Sequence, residues 1–452
     1  MIRKFVANYF GFPIQDFVKK TKILPTLKNL QESQYWNKER MYKYRLLKLQ
    51  KLVNHAYNHV PYYTELFDAH GISPEHIKTL EDIKKIPILT KELARKNQKK
   101  LVAINVDFKY IKKGKTGGTT GVPLTVYSDA NNRSFTWASY YRWYNWIGIE
   151  KDEAVLTLWG ANTVLKSSLK SKIIGNTINW IQNNKTINSF NINDKTLPDI
   201  YTKIIQYNPV LIKGYLSAII LLAEYMKRNN LPPNKNLRAI SSTTETLLPI
   251  YRNLIEEVFS KSIYDQYGCG EVSAISYECP KQEGLHINQE HVYIECLDTD
   301  NSEIFNKKGR LIVTSLDNYV MPFIRYENGD MASMETEKCS CGLNAPLMSS
   351  IDGRTTDTIT LKDGSKVHGV FFTDLLAEAG ITTDLISRFQ IVQYNSDSID
   401  FKLETRINIS KKLLDKLEFE ILRFVNSVNI ILVDYIPNEH NGKFKYIKLE
   451  NN

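Results

Sequence analysis

Between residues 150 and 300 the sequence alternates short apolar runs with amphipathic segments, and this alternation limits the fold more than any other feature. The apolar runs read AVLTLWG, VLIKG, LRAISST and KSIYDQYG. The segments LSAIILLAEYMKRNN and LPIYRNLIEEVFS between them carry apolar residues at helical spacing. Strand, helix and strand in this order predict an α/β fold whose sheets are mixed or mostly parallel.

The region before this alternation is predicted to be mostly helical up to about residue 105. One helix covers WNKERMYKYRLLKLQKLVNHAYNH and ends before Pro61. Thr79 and Asp82 are candidates for a capping box at the start of the next helix. Two strands, DFKYIKK and PLTVYSD, then enclose a glycine-rich loop, and a further helix begins near Asp129.

The last hundred residues show a different pattern, which indicates a separate domain. SRFQIVQYNSDSIDFKLET predicts two strands, SKKLLDKLEFEILRFVN a helix and VNIILVDYIP a strand. A chain of 452 residues also exceeds what one core usually serves. We therefore predict a large N-terminal domain with mixed sheets and helices (1–351), a hinge (352–357) and a small α+β C-terminal domain (358–452).

The composition argues against several classes of protein. A hydrophobic fraction of 42% and a charged fraction of 24% are typical of a soluble globular protein. The net charge is +10, but the basic residues are dispersed and form no basic-aromatic module, so we expect no nucleic-acid partner. No stretch approaches the roughly 20 apolar residues of a membrane span.

The N-terminal segment MIRKFVANYFGFPIQDFVKK is basic and rich in apolar residues. Asn8, Gln15 and Asp16 interrupt its apolar run, which argues against a secretory signal. The segment either packs on the body of the protein or lies on a membrane surface as an amphipathic helix. We expect a cytoplasmic protein that is a monomer or a homodimer.

The glycine-rich loop GKTGGTTGVP, residues 114–123, indicates phosphate binding. A Walker P-loop would need a glycine where this chain has Lys109, and a helix where we predict a strand. The loop can still hold phosphate through its backbone amides and hydroxyl groups, although a hairpin without a ligand is an equal alternative. Its candidate phosphate-binding residues are Thr116, Gly117, Gly118, Thr119, Thr120 and Gly121.

Five short motifs resemble, in order, those of the adenylate-forming enzymes, the acyl- and aryl-coenzyme A synthetase superfamily. TGGTTGVP resembles [ST]-[SG]-G-T-T-G-x-P, YDQYGCGE resembles Y-G-x-[ST]-E, and RYENGD resembles Y-x-T-G-D. DGRTTD resembles the G-R-x-x-D hinge, and NGKFKYI resembles the C-terminal G-K motif. VPYYTELFDAHGISPEHIKTLEDIKKIPILTK and ECPKQEGLHIN are similar to the phenylacetate–coenzyme A ligase branch, and more closely to its capsular-polysaccharide-biosynthesis relatives.

This resemblance implies an ATP-dependent ligase with a large N-terminal domain and a small C-terminal lid. A carboxylate and ATP would give an acyl-adenylate and pyrophosphate, and the acyl group would pass to the thiol of coenzyme A or to an amine. A role in surface polysaccharide biosynthesis would fit the branch. Two alternatives stay open: an adenylyltransferase that leaves AMP on a hydroxyl acceptor, and a non-catalytic scaffold of a polysaccharide assembly complex.

The resemblance also implies a role for individual residues. Lys443 would bridge the α-phosphate and the substrate carboxylate, and the loop at 116–121 would hold the leaving pyrophosphate. Glu271 would bind Mg²⁺, a hard cation that prefers oxygen ligands. Tyr267 would stack on adenine, with Gly268 beside it, and Asp330 would accept hydrogen bonds from the ribose hydroxyls.

Two further residues fall where the superfamily contacts ATP. Arg354 would touch the ribose or a phosphate at the hinge, or it is an exposed surface arginine. Glu245 would line the adenine and acyl pocket, or it is an acid at a helix N-terminus. Cys269 and Gly270 depart from the usual motif, so the substrate can differ from an aryl acid.

The cysteines suggest a metal site rather than a disulfide framework, because five cysteines are few for a chain of this length. A C-x₆-H pair and a C-x-C-G pair supply thiolates and an imidazole, which suit tetrahedral Zn²⁺. The four candidate ligands are Cys279, His286, Cys339 and Cys341. We expect a structural zinc ion; the alternative is four unrelated buried residues. Cys296 reads as a core strand residue, and most aromatics of FTWASYYRWYNWIG are expected in the core.

Overall fold

The computed structural model describes residues 2–115, 124–160, 169–349, 351, 353–354, 358–395, 398–439 and 444–450. The chain forms two compact units, each built from three stretches of sequence. The first unit contains Met1–Glu153, Ser167–Asn184 and Tyr264–Ser350. The second contains Ala154–Lys166, Lys185–Ile263 and Ile351–Asn452.

Helices predominate before residue 112, helices and strands alternate from 125 to 267, and strands predominate from 263 to 367. The α-helices are α1 (Ile2–Val6), α2 (Phe12–Lys19), α3 (Ile23–Ser33), α4 (Lys38–His59), α5 (Pro61–His70), α6 (Lys91–Lys96), α7 (Ala130–Trp146), α8 (Leu169–Gln182), α9 (Leu197–Tyr207), α10 (Leu216–Arg228), α11 (Pro249–Phe259), α12 (Gly369–Ala379) and α13 (Lys411–Leu422). The strands are β1 (Leu89–Thr90), β2 (Lys112–Lys115), β3 (Thr125–Ser128), β4 (Val155–Trp159), β5 (Asn184–Asn188), β6 (Leu211–Tyr215), β7 (Ala239–Thr243), β8 (Ile263–Tyr267), β9 (Ser276–Glu278), β10 (Leu285–Ile287), β11 (Val292–Leu297), β12 (Lys308–Ser315), β13 (Tyr326–Glu335), β14 (Leu347–Met348), β15 (Gly353–Arg354), β16 (Ile359–Thr360), β17 (Lys366–Val367), β18 (Arg388–Asn395), β19 (Ser398–Glu404), β20 (Ser427–Val433) and β21 (Ile447–Leu449).

The predicted helix before Pro61 and the predicted helix start at Asp129 are confirmed. Asn37 begins α4 by accepting a hydrogen bond from the backbone of Arg40, and α4 ends at His59. Asp129 begins α7 in the same way, through the backbone N–H of Asn132. These caps satisfy amides that the first helical turn would leave without a partner.

The predicted helix after Thr79 is wrong in part. Asp82 does accept the Thr79 backbone N–H at 2.7 Å, which is half of the expected capping box. A short 3₁₀ helix, Glu81–Lys85, follows instead of an α-helix. Pro87 explains the early end, because a proline forces the residue before it into an extended conformation, as Ile86 shows.

The predicted strand DFKYIKK also forms only at its end. The Asp107 carboxylate accepts the backbone N–H of Lys109 at 2.9 Å and begins a 3₁₀ turn, Phe108–Tyr110. Strand β2 then starts at Lys112 and pairs antiparallel with β3. Aspartate commonly stabilises such turns through its own side chain, which competes with strand formation.

The main sheet of the first unit is antiparallel. Its strands lie in the order β11, β12, β13, β14, β10, β9 and β8, and each neighbouring pair runs antiparallel. Strand β1 joins the same sheet in parallel with β13. Helix α7 packs its aromatic side inward: the Trp143 ring stacks on Tyr277 with centroids 4.9 Å apart, and the other six aromatics of this segment are buried or half-buried.

The second unit contains the predicted parallel sheet and the predicted C-terminal α+β fold. Strands β4, β6 and β7 pair in parallel, and β5 lies beside β4. A four-stranded sheet of the order β20, β19, β18 and β21 occupies the C-terminal segment, with α12 and α13 packed together. Buried apolar residues from both 156–263 and 359–447 form the core of this unit.

A partly buried carboxylate, that of Glu224, lies in the second unit on α10. One oxygen of the Glu224 side chain is shielded from solvent and has no hydrogen-bond partner. Burial raises the pKa of Glu224 to about 7, Arg388 opposes the rise, and Glu404 adds to it. Among the residues that the structure describes, no helix combines the length and the apolar character needed to cross a bilayer.

Candidate active site

The turn after β8 places one predicted site residue in the interior of the first unit. Strand β8 ends at Tyr267, and the chain folds back on itself at once. The Cys269 backbone N–H donates to the Val272 carbonyl at 2.8 Å, and the Val272 N–H donates to the Cys269 Sγ at 3.3 Å. This tight turn leaves Gly268 exposed and holds the Glu271 side chain in a buried position.

Strand β13 supplies the opposite side of the site. Tyr326, Asn328 and Asp330 alternate along the strand and are all buried, because successive residues of a strand face opposite sides. The pairing of β12 with β13 shifts its register here, and Gly329 adopts a φ of +85°, which glycine tolerates at no steric cost. Such irregularities in strands commonly re-aim side chains beside functional sites.

Hydrogen bonds bring the two elements together. The Tyr326 hydroxyl donates to the Glu271 Oε1 at 2.8 Å, and the Tyr267 hydroxyl donates to the Asp330 Oδ2 at 2.7 Å. The Asn328 side-chain amide donates to the Tyr267 oxygen at 2.5 Å, and its own carbonyl accepts the Asp330 backbone N–H at 3.0 Å. The structure therefore places three predicted site residues, Tyr267, Glu271 and Asp330, in one polar cluster.

The electrostatic environment of this cluster keeps its weak acids protonated. Burial, followed by the neighbouring Asp330, raises the pKa of Tyr267 well above its usual value. Burial and Glu271 do the same for Tyr326. Burial, Glu271 and Asp330 together raise the pKa of the Cys269 thiol. Two carboxylates beside neutral hydroxyl groups offer the oxygen ligands that Mg²⁺ prefers.

An internal ion pair fixes the start of β13. The Arg325 guanidinium binds both carboxylate oxygens of Glu295, at 3.0 and 2.8 Å, and donates to the carbonyls of Lys84 and Ile86. Arg325 has a φ of +48°, which is uncommon outside glycine. The bidentate contacts with Glu295 hold this backbone conformation and so fix the direction of β13, which begins at the next residue.

In the second unit, Glu245 links two segments that are far apart in the sequence. Its carboxylate accepts the Ser217 backbone N–H at 2.6 Å and the Ser217 hydroxyl at 3.0 Å, at the start of α10. It also accepts the Phe444 backbone N–H at 3.0 Å. Thr244, just before it, has a φ of +77°, which is a strained conformation for a β-branched residue. The contacts show Glu245 as an acid at a helix N-terminus; its role in ATP binding stays a prediction.

Several predicted site residues fall outside the described part of the chain. These are the phosphate-binding loop at 116–121 and Lys443. The backbone of Arg354 lies in β15, and its side chain is outside the described atoms. Their roles therefore stay predictions.

The four predicted zinc ligands lie together in the first unit. Cys279 follows β9, His286 lies in β10, and Cys339 and Cys341 lie between β13 and β14. Their ligand atoms are all within 4.8 Å of one another. The Cys279 and Cys339 sulfurs are 3.5 Å apart, and the Cys341 sulfur is 3.3 Å from the His286 Nε2. A tetrahedral zinc with Zn–S bonds of about 2.3 Å sets its sulfurs about 3.8 Å apart, so the geometry fits.

The surroundings of this cluster also suit a metal. All five cysteines of the chain are free thiols. Burial lowers the pKa of His286 to about 4, which keeps the imidazole neutral and able to bind a metal at neutral pH. The Trp146 ring lies 5.7 Å from the His286 ring and covers one side. The fifth cysteine, Cys296, is fully buried in β11, and its prediction as a core residue is confirmed.

Three side chains that hold the predicted site residues in place were not among the predicted residues. Tyr326 and Asn328 lie in the RYENGD motif at alternate positions with Asp330, so the strand period alone could have found them. The role of Ser217 could not be predicted from a local sequence pattern, because its contact is with Glu245, 28 positions away in the chain.

Comparisons with known proteins support the resemblance that the motifs predicted. The model of the CapK C-terminal domain matches residues 359–450. Protein CapK of Staphylococcus aureus is 25% identical over 88% of this chain and 87% of its own length. The phenylacetate–coenzyme A ligase of Thermus thermophilus is 25% identical over 83% of each chain.

The fold is also shared with solved structures. A crystal structure of 2-hydroxyisobutyryl-CoA ligase in the postadenylation state, in complex with 2-HIB-AMP, aligns over 93% of this chain and 92% of that chain, with a TM-score of 0.78 and 19% identity. An anthranilate CoA ligase in complex with anthranoyl-AMP aligns over 82% and 75%, with a TM-score of 0.55 and 13% identity. The predicted α/β fold and the likeness to adenylate-forming, phenylacetate–coenzyme A ligase-like proteins are confirmed.

Proposed function

We propose that this chain, which has the fold of the adenylate-forming ligases and is similar in sequence to the phenylacetate–coenzyme A ligases, is itself an ATP-dependent, AMP-forming ligase. The observation that carries the proposal is the buried cluster of Tyr267, Glu271 and Asp330. Two motifs that are about 60 residues apart in the chain meet there through direct hydrogen bonds. If the two motifs served unrelated purposes, their side chains would have no reason to form these hydrogen bonds with one another.

The residue roles follow from this proposal. Glu271 would hold Mg²⁺, which supplies positive charge beside the phosphates, and the Tyr326 hydroxyl keeps the Glu271 carboxylate oriented. Asp330 would accept the ribose hydroxyls, and Tyr267, Gly268 and the loop beyond them would border the adenine. The other predicted ATP-binding residues are Glu245, Arg354 and the loop residues 116–121.

Lys443 is the proposed catalytic cation. Bringing a carboxylate to an anionic α-phosphate requires a positive group between them, since stabilisation of charge dominates phosphoryl chemistry. Phe444, the next residue in the chain, is held by the Glu245 carboxylate. This contact holds the backbone at Phe444, directly after Lys443 in the sequence.

The acceptor of the acyl group is proposed to be the thiol of coenzyme A, with an amine as the second choice. The support is the activity of relatives that are phenylacetate–coenzyme A ligases. A role in surface polysaccharide biosynthesis is supported by the similarity to CapK alone. The substrate is a small carboxylate, and a cytoplasmic site of action would supply both ATP and coenzyme A.

One experiment separates this function from its alternatives. The protein is incubated with ATP, Mg²⁺, a panel of carboxylates and acceptors of three kinds, namely coenzyme A, amines and hydroxyl compounds. Pyrophosphate release is measured, and the products are identified by mass spectrometry. A ligase gives free AMP and an acyl thioester or amide. An adenylyltransferase gives a product that retains AMP, and a scaffold gives no pyrophosphate; either result would reject the proposal.

We also propose that Cys279, His286, Cys339 and Cys341 hold a structural zinc ion. The distances between their ligand atoms and the neutral imidazole support this. The ion would tie the β9–β10 hairpin to the segment between β13 and β14, close to the elements that carry the active-site cluster.

A further inference from the structure

The N-terminal helical segment turns apolar side chains toward solvent. It consists of α1, a π-helical turn at Ala7–Gly11, and α2. Six large apolar side chains of this segment, which we call the N-terminal apolar face, are each between 54% and 74% exposed. They are Phe5, Tyr9, Phe10, Ile14, Phe17 and Val18.

The opposite side of the same segment is fixed to the protein. Ala7 and Phe12 are buried, and the Phe12 ring meets Tyr141 edge to face at 6.0 Å. The buried Asp16 carboxylate accepts the Thr21 hydroxyl at 2.6 Å and the backbone N–H of Ile23 at 3.0 Å. A surface helix of a water-soluble protein normally buries its apolar side and exposes its polar side. This segment instead exposes six large apolar side chains while it buries the polar Gln15 and Asp16, and its contacts hold it that way.

Basic residues surround the apolar face. Asp16 is the only acidic residue among the first 31, and its carboxylate points inward to Thr21 and Ile23. Basic residues in or next to the segment are Arg3, Lys4, Lys19, Lys20 and Lys22. Of these, Lys4, Lys20 and Lys22 are exposed, so the outer surface here is both apolar and positively charged.

A second basic element lies beside the end of α2. The Arg133 guanidinium donates to the carbonyl of Lys19 at 3.1 Å and to the carbonyl of Tyr110 at 2.9 Å. It thereby joins α2 to the segment that leads into β2. All four residues of β2, which read KKGK, are exposed, and Phe108 next to them is 57% exposed. The apolar and basic surface thus extends from α1 to β2.

We propose that the N-terminal apolar face docks the protein on the surface of an anionic lipid bilayer. Aromatic and aliphatic side chains on one side of a helix enter the boundary between headgroups and acyl chains, and flanking lysines attract anionic headgroups. A second copy of the chain is the less favourable occupant, because pairing through this face would bring two positively charged surfaces together. The proposal concerns a surface on the first unit and does not depend on the enzymatic activity.

The test is sedimentation of the full-length protein with lipid vesicles. Vesicles of phosphatidylglycerol mixed with phosphatidylcholine are compared with vesicles of phosphatidylcholine alone. The double variant Phe10→Ser/Phe17→Ser should bind the anionic vesicles at least tenfold more weakly, since each phenylalanine loses favourable burial. The matched control Phe419→Ser/Tyr435→Ser removes two similarly exposed aromatics from the second unit and should bind like the wild type.

The contribution of the lysines to lipid binding is tested with the double variant Lys20→Gln/Lys22→Gln. It should bind the anionic vesicles roughly tenfold more weakly, and its binding should depend less on salt. Lys411→Gln/Lys412→Gln is its control. Circular dichroism and thermal unfolding establish that each variant is folded. Three results would overturn the proposal: no binding to anionic vesicles, equal binding to both kinds of vesicle, or self-association that Phe10→Ser/Phe17→Ser abolishes in a protein that binds no lipid.

Discussion

Glu271 and Tyr326 pair a charged side chain that would bind metal with a neutral one that orients it. The 2.8 Å hydrogen bond limits the directions in which the carboxylate can point. We expect Glu271→Gln to lower the rate of pyrophosphate release at least a hundredfold, because the charge that would hold Mg²⁺ is removed. Tyr326→Phe should lower it roughly tenfold, the usual effect of losing an orienting partner.

Tyr57→Phe is the matched control for this pair, since the Tyr57 hydroxyl donates to the Asp68 carboxylate at 3.0 Å on the surface of the helical region. It should leave the rate unchanged. An unchanged rate in Glu271→Gln across a range of Mg²⁺ concentrations would show that Glu271 is not the metal ligand.

Lys443 provides a second test at the level of a single residue. Lys443→Ala should abolish ATP–pyrophosphate exchange while the protein still binds ATP, because the proposed role is in the reaction and not in nucleotide affinity. Lys448→Ala, a lysine in the same C-terminal segment that pairs with Glu439, is the control and should exchange normally. Exchange at the wild-type rate in Lys443→Ala would reject the assignment.

The raised pKa of Glu224 predicts that the folded protein becomes less stable as the pH rises. Its pKa is raised from 4.5 to about 7 in the folded protein, so the folded state holds a proton that the unfolded state releases above pH 4.5. Its contribution to stability is present below pH 4.5 and is lost as the pH rises toward 7, a change of about 3 kcal/mol. Glu224→Gln should flatten the fall in the free energy of unfolding over this range.

Glu418→Gln, an exposed glutamate on α13, is the comparison for that measurement. Unfolding is followed in denaturant at a series of pH values. The same slope in the wild type and in Glu224→Gln would show that Glu224 does not titrate in this range.

Some of these residues could be found from sequence and others could not. Glu271 and Asp330 lie in short motifs, and the strand period points to Tyr326. Glu224 looks like an ordinary polar position of α10, since the charges that act on its pKa, those of Arg388 and Glu404, come from a distant part of the chain. The local sequence around Glu224 gives no sign of its interaction with these distant residues.

At the level of secondary-structure elements, buried strands and long helices were predictable from their periodicity, and short segments were not. Strands β4, β6 and β7 and helices α4 and α10 have clear apolar patterns. The 3₁₀ turns at Glu81–Lys85 and Phe108–Tyr110 depend on side chains that compete for backbone amides. The spacing of apolar residues alone does not show whether such side-chain hydrogen bonds or a regular strand or helix will form.

The zinc cluster joins elements that the main sheet brings close. We expect purified protein to contain zinc, and Cys339→Ser to lose it and to unfold at a lower temperature, because a structural metal contributes directly to folding. Cys296→Ser alters a buried cysteine outside the cluster and should keep its zinc. The measurement is metal content by mass spectrometry together with thermal unfolding, with and without a chelator. Wild-type protein that is free of zinc and insensitive to the chelator would contradict the prediction.

At the scale of the whole molecule, the alternation of strands and helices predicted the α/β class, and the change of pattern near residue 350 predicted a distinct C-terminal part. The division of the second unit among three stretches of sequence was not predictable, because it depends on which surfaces pack together. The boundary at 352–357 stays a prediction.

That boundary can be tested with the C-terminal segment alone. We expect a fragment of residues 358–452 to fold, because its four-stranded sheet and two helices lie within the segment, and the CapK C-terminal domain model matches nearly all of it. A well-dispersed amide spectrum in nuclear magnetic resonance and a cooperative thermal transition are the expected results. A fragment without a cooperative transition would show that the segment needs the rest of the second unit.

The exposed aromatic side of the N-terminal helices has a further consequence, for diffusion. A protein held by Phe5 to Val18 would search a plane instead of a volume, and its local concentration relative to any acceptor in the same bilayer would rise without a new contact. The acyl thioester would then be released beside the bilayer, where any enzyme on the same membrane that uses it would meet it at a higher local concentration.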